Sequence, residues 1–168
     1  MPKDCNTRKK HRHVSLYTPE ERQRRDASIW TYVQGVLAPL QFLVFLISLV
    51  LVIRYLGTGL GETAATVSIV IKTLLLYAIM VTGSIWERVV FGRYLFARVF
   101  FWEDVVSMLV LALHTAYLVA LFTGWIDIRA QMVLALVAYA VYVINAAQFL
   151  LKLRAARLGS AQEVEATT

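Results

Sequence analysis

The stretch Trp30 to Tyr55, WTYVQGVLAPLQFLVFLISLVLVIRY, decides the fold. Its single charge, Arg54, sits at one end, and everything before it is apolar or neutral. About 20 such residues suffice to cross a bilayer, and in hydrocarbon only a helix satisfies its own backbone groups. Working outward, three more segments qualify: about Ala64–Trp86, about Glu103–Phe122 and about Ala130–Leu151. Pro39 is expected to kink the first span. Gly57, Gly59 and Gly61 break the first connection, while Thr123, Gly124 and Asp127 mark the third. Both turns are tight, so the helices they join should be antiparallel neighbours. The expected architecture is all-α: an integral membrane four-helix bundle over 30–152, between a basic tail (1–29) and a polar tail (153–168).

Composition agrees. Of 168 residues, 59% are hydrophobic and the mean hydropathy is +0.63, too apolar for a domain that must cover its own surface with polar groups. The net charge of +6 has no aromatic-basic interleaving, so it is read as orienting helices and not as binding nucleic acid. Fourteen Lys and Arg flank one side: eight in the N-terminal tail, then Arg88, Arg93, Arg98, Lys152, Arg154 and Arg157. Only Arg54 and Arg129 flank the other, so both termini are expected in the cytoplasm. The first apolar run lies too far from the N-terminus for a signal peptide, and the tail is expected to stay on the mature chain. Within it, Thr18-Pro-Glu-Glu21 reads as a capped helix start, with a short helix to Ser28. Cys5 reads as incidental, and Gly159–Thr168 as disordered.

Polar side chains inside spans are expensive and therefore candidates for function. Most sit in the cytoplasmic half: Gln34 and Gln41 on helix one, Ser84 and Glu87 on helix two, Glu103, Asp104 and Ser107 on helix three, Asn145 and Gln148 on helix four. Thr73, Tyr77, Met80, Ser84 and Glu87 form a helical stripe expected to face the bundle interior. Glu103, Ser107 and His114 share a face, spread over roughly 16 Å of axis, which a flat macrocycle-sized ligand could meet. The expectation is a one-sided polar pocket with His114 as its floor. Blander roles stand beside these. His114 and the Asn145/Gln148 pair can be interhelical hydrogen-bond partners. Lys72 can snorkel to the far interface. Glu103 and Asp104 can serve the helix dipole or pair with Arg93 and Arg98. Trp30, Tyr55, Trp86, Trp102 and Trp125 match an interfacial belt. Motifs for metal hydrolysis, phosphate loops or a nucleophilic serine are absent from the sequence.

Three stretches carry a resemblance: Tyr17-Thr-Pro-Glu-Glu-Arg22 through Val33-Gln-Gly-Val-Leu-Ala-Pro-Leu-Gln-Phe42, Gly83-Ser-Ile-Trp-Glu87 through Phe91-Gly-Arg-Tyr-Leu-Phe-Ala97, and Phe100-Phe-Trp-Glu-Asp104 through His114-Thr-Ala-Tyr117. Over about residues 15 to 155 the chain resembles the 3-vinyl (also called 2-vinyl) bacteriochlorophyllide hydratases of phototrophic bacteria. The resemblance implies a lyase that adds water across the C3 vinyl group of a chlorophyllide-type macrocycle, giving a 1-hydroxyethyl group. It implies no cofactor, a multi-pass place in the bacterial inner (cytoplasmic or intracytoplasmic) membrane, and the pigment, lipid and other pigment-biosynthesis enzymes as partners.

Roles follow from the chemistry. Protonating a vinyl carbon takes a carboxylic acid kept protonated by burial or a neighbouring carboxylate. Glu103 beside Asp104, facing Glu87, offers this, with Glu87 or Glu103 as acid and another of the three directing the water. His114 would ligate the substrate's magnesium or hold the water. Gln41, Ser107 and Asn145 would hydrogen-bond macrocycle carbonyls, Trp86, Phe101 and Trp102 would flank its face, and Arg88, Arg93 and Arg98 would meet its propionate. The competing reading is a non-enzymatic pigment-binding or assembly protein in which His114 ligates a chlorophyll; a small transporter ranks last.

Overall fold

The structure, a computed structural model, describes residues 16–165, with side chains to residue 155. It contains α1 (Pro19–Ala27), α2 (Ile29–Thr58), α3 (Glu62–Phe91), α4 (Phe101–Thr123) and α5 (Ile128–Glu165). Helices α2, α3, α4 and the Ile128–Ala155 part of α5 are long and apolar enough to cross a membrane, and the chain is a multi-pass membrane protein. Residues 1–15 and 166–168, which include Cys5, lie outside the described residues.

The helix boundaries have local causes. Thr18 and Glu21 form a reciprocal capping box: the Glu21 N–H donates to Thr18 Oγ1 at 3.2 Å, and the Thr18 N–H donates to Glu21 Oε2 at 2.8 Å. Ser28 ends one helix and starts the next. Its N–H donates to the Arg25 carbonyl at 3.2 Å, and its Oγ accepts the Trp30 N–H at 3.3 Å. Gly59 and Gly61 turn α2 into α3 with φ of 71° and 88°, a left-handed backbone that side chains disfavour.

Helices α2 and α3 each have 30 residues, about 45 Å of axis against a hydrocarbon core of about 30 Å. They outrun the expected spans because a helix stops where a cap stops it, not where hydropathy falls. The extra turns keep Glu87 inside α3. Likewise α5 continues helical to Glu165, past Gly159, where disorder was expected; Ala155, Ala156, Arg157 and Leu158 are good helix formers with no proline after them.

The bundle is two antiparallel hairpins, α2/α3 and α4/α5, closed into a ring by α2 against α5 and α3 against α4. Helix α1 lies against α3. The end bearing α1 and the 92–100 connection is called the α1 end below, and the opposite one the turn end. An apolar core of Phe45, Val52, Ala65, Ile69, Leu76, Val110, Tyr117, Met132, Ala135 and Tyr139 fills the middle. Tyr17, Val90 and Phe100, backed by Trp86, Phe91 and Phe149, form a second cluster at the α1 end. Leu43, Ile47, Val50, Leu74, Val81, Leu109, Val133 and Ile144 are exposed, a surface suited to lipid.

Two expectations about α3 are corrected. Its buried face is Ala65, Ser68, Ile69, Lys72, Thr73 and Leu76, with Glu87 and Val90 further on. Tyr77, Met80 and Ser84 are only half-buried: the Tyr77 hydroxyl hydrogen-bonds Thr115 on α4 at 2.9 Å, Met80 packs on the edge of the core, and Ser84 Oγ donates to the Val81 carbonyl of its own helix. The small residues Ala65 and Ser68 set the interior face, because they allow close packing. Lys72 does not snorkel: it is 0% exposed, in the bundle middle.

Two of the three glycines around the first turn, Gly57 and Gly61, give a stability test. Both have open space where a Cβ would go, but Gly61 has φ of 88° and Gly57 is helical. Gly61→Ala should destabilise the protein by about 1–2 kcal/mol, whereas Gly57→Ala should be neutral or stabilising by up to about 1 kcal/mol, as read by thermal unfolding in detergent.

Candidate functional site

At the α1 end three acids emerge from two helices. Glu87 closes α3 and Glu103 and Asp104 open α4, and all three are buried. The Glu87 and Asp104 carboxyls face each other across the α3/α4 boundary. Each accepts a loop amide: Asp104 Oδ2 takes the Phe96 N–H at 2.8 Å, and Glu87 Oε2 takes the Ala97 N–H at 3.2 Å. Phe96 has φ of 59°, a strained conformation for a bulky residue that these bonds hold in place. Glu103 is engaged differently. Lys152 Nζ on α5 donates to its Oε2 at 2.6 Å and also to the Val99 carbonyl. Lys152, and not Arg93 or Arg98, is thus the cation on this acid. Anchoring the 92–100 connection is a role the sequence reading missed. The available signal was a short loop flanked by three acids.

One turn deeper, Asn145 Nδ2 on α5 donates to Ser107 Oγ on α4 at 2.8 Å. Gln41 on α2 is buried, and its Oε1, like Asn145 Oδ1 and Gln148 Oε1, has no hydrogen-bond partner among the described residues. Gln34, the other carboxamide expected on this face of α2, is partnered: its Nε2 donates to Thr82 Oγ1 at 2.7 Å.

The bundle middle holds a second polar layer. His114 Nδ1 donates to the Val110 carbonyl at 2.8 Å, which leaves Nε2 to accept from Lys72 Nζ, also at 2.8 Å. Lys72 lies 4.1 Å from the Tyr142 ring centroid and 5.3 Å from that of Tyr139. The Tyr139 hydroxyl meets Ser48 Oγ at 2.5 Å, and Ser48 meets Ser68 Oγ at 2.7 Å. His114 is on the expected face of α4, but both of its nitrogens are occupied.

The aromatic flankers divide. Trp86 packs, half-buried, against the α1-end cluster, its Nε1 donating to Thr31 Oγ1 at 3.0 Å and its ring edge-on to Phe91 and Phe100. Trp102 is 70% exposed, and Phe101 is also exposed, its ring lying against that of Phe96 with centroids 5.8 Å apart. In the same cluster Tyr17 stacks on Phe91 and takes Arg25 over its ring at 4.8 Å; burial pushes its phenol above the usual value. Arg93 and Arg98 are exposed at this end, and Arg88 Nη1 donates to the Gly92 carbonyl.

Two cavities lie away from the expected pocket. One of about 450 Å³ lies at the turn end between Glu62, Thr66, Leu121, Asp127 and Gln131, and an apolar one of about 520 Å³ runs along Met108, Thr115, Val119 and Leu134. Neither touches the acids, whose helices are drawn together by their own hydrogen bonds. Among the described residues, no group of three His, Cys, Asp or Glu is arranged to hold a metal ion.

The family model described as 2-vinyl bacteriochlorophyllide hydratase matches residues 17–155. A curated protein of that name from Rhodobacter capsulatus is 70% identical over 149 residues, covering 89% of this chain and 86% of the relative. Another of that name, from Cereibacter sphaeroides, is 70% identical over 146 residues, covering 87% and 91%. No solved structure matches the chain.

The Glu103–Lys152 pair yields a prediction about stability. Lys152→Met leaves a buried carboxylate unpaired and should cost about 1–3 kcal/mol, while Glu103→Gln added to Lys152→Met should restore part of the loss. A double-mutant cycle by thermal unfolding checks it.

Proposed function

The chain belongs to the 2-vinyl bacteriochlorophyllide hydratase family, and we propose that it adds water across the pigment's vinyl group beside the Glu87–Asp104 carboxyl pair. As a hydratase it is a hydro-lyase of bacteriochlorophyll biosynthesis, and the substrate is a bacteriochlorophyllide-type macrocycle. The observation that carries the location is the meeting of two buried carboxyls, Glu87 and Asp104, each fastened to a loop amide, an arrangement suited to holding one proton between them.

Hydration needs a proton on the terminal vinyl carbon and a water oxygen on the inner one. The Glu87–Asp104 pair gives its proton to the terminal carbon, which becomes a methyl group. The resulting positive charge on the inner carbon is spread over the conjugated macrocycle. Water attacks there, and the proton it gives up returns to the pair. Glu103 suits the acid role less well, because its carboxyl is engaged by Lys152 in an ion pair. It orients α5 and the loop instead. Ser107 is three residues from Asp104 on the same buried face of α4, about 4.5 Å along the axis, so groups on successive turns can address the two vinyl carbons.

The two hairpins meet sparingly along α3 and α4, where half-buried Tyr77, Met80 and Ser84 lead to Glu87. The vinyl-bearing edge enters there from the lipid while the rest of the macrocycle stays in the bilayer. With the α1 end in the cytoplasm of a bacterial inner membrane, exposed Arg93 and Arg98 stand at the interface to meet a propionate. The carrier alternative depends on His114 as an axial ligand, and Lys72 already holds its Nε2.

Glu87→Gln keeps an oxygen for the Ala97 amide but carries no acidic proton. It should lower kcat for the vinyl pigment by about 10²–10⁴-fold, as general acid catalysis typically contributes, whereas Glu103→Gln should cost less than about tenfold. Equal losses in both variants, or none in Glu87→Gln, would contradict the assignment.

A further inference from the structure

The carboxamides one turn above the acids lack the partner they need. Gln41, 3% exposed, has an orphan Oε1, and so do Asn145 at Oδ1 and Gln148 at Oε1. Leaving one such buried group unsatisfied costs about 1–3 kcal/mol. These three come from facing helices. Ser48 meets Tyr139 and Phe45 meets Tyr142 across the antiparallel α2/α5 pair, a register that sets Gln41 opposite Asn145 and Ala146. Asn145 is tied to Ser107 on α4, and Gln148 lies on the next turn of α5 toward the α1 end.

The chemistry of the orphans selects their ligand. As oriented, they are acceptors, and a macrocycle carbonyl, itself an acceptor, meets none of them. Rotating an amide by 180° exchanges an orphan oxygen for an orphan N–H, so a ligand able both to donate and to accept serves either orientation. Water does both, and water is the co-substrate of a hydration. We propose that Gln41, Asn145 and Ser107 hold the attacking water, and that Gln148 marks its path from the α1 end. The inference rests on the hydratase reading and reassigns these side chains from the macrocycle to the nucleophile. The water oxygen then lies one helical turn from the carboxyl pair that supplies the proton, on the buried face that carries Asp104, Ser107 and His114.

The test compares two carboxamides of α2. Gln41→Met removes an orphan amide with little change of shape, and Gln34→Met removes one already paired to Thr82. Purified full-length variants in detergent are assayed for kcat on the 3-vinyl pigment, for pigment binding by fluorescence titration, and for melting temperature. Gln41→Met should lose at least about tenfold in kcat, with pigment affinity unchanged within about twofold and a melting temperature at or above wild type. Gln34→Met should keep kcat within about twofold. Asn145→Ala provides a second reading and should lose kcat with pigment affinity kept. Weakened pigment binding with kcat unchanged would return these groups to the macrocycle and overturn the water site, as would unchanged kcat in both Gln41→Met and Asn145→Ala. Absence of hydration in the wild-type protein would instead overturn the hydratase reading itself.

Discussion

A polar side chain surrounded by hydrocarbon must find its partner within the protein, and this constraint organises the bundle. Water cannot relieve an unmet donor or acceptor there, and lipid offers nothing in its place. Lys72 therefore binds His114, His114 binds the Val110 carbonyl, and Tyr139, Ser48 and Ser68 link α5 to α2 and α3. At the α1 end Glu87 meets Asp104 across the α3/α4 boundary, and Glu103 binds Lys152 across α4/α5. Apolar packing fills the space between helices. The polar pairs decide which helix faces which, because a rotated helix would strand several groups together.

The same constraint shapes the reaction site. Two buried acids set against each other are the arrangement in which a shared proton would be held, and the proposed reaction places that proton beside a face open to lipid. Glu103 is engaged instead by Lys152, which ties α4 to α5. The carboxamide oxygens of Gln41, Asn145 and Gln148 have no partner among the described residues, and the proposed water site is built on them. The proposed acid, the proposed water site and the strained loop residue Phe96 thus share one end of one bundle. The opposite end has tight glycine turns and a cavity lined by none of these groups.

Much of this was legible in the sequence. Hydropathy and glycine placement gave the spans and their pairing, and helical spacing put Glu103, Ser107 and His114 on one buried face of α4. The concentration of acids and amides in one half was also visible. Partner choice was not, because it depends on how helices distant in sequence are rotated against each other. Lys72 reads as a snorkelling residue until α4 brings His114 beside it. Trp102 reads as a ligand flanker until its position on α4 turns it outward, at 70% exposure, while Trp86 turns inward. The ion pair of Glu103 reaches Lys152, forty-nine residues away, in preference to nearer arginines. The loop-fastening by Glu87 and Asp104 needed the backbone of residues 92–100.

The central claim is that Glu87 and Asp104 share one proton that the vinyl group receives. Infrared difference spectroscopy of the protein in membranes reads that proton directly. At neutral pH the account predicts a protonated-carboxyl C=O band that shifts in D₂O, disappears in Glu87→Gln and in Asp104→Asn, and persists in Glu103→Gln. A spectrum without such a band, or one whose band survives both of the first two substitutions, would contradict it.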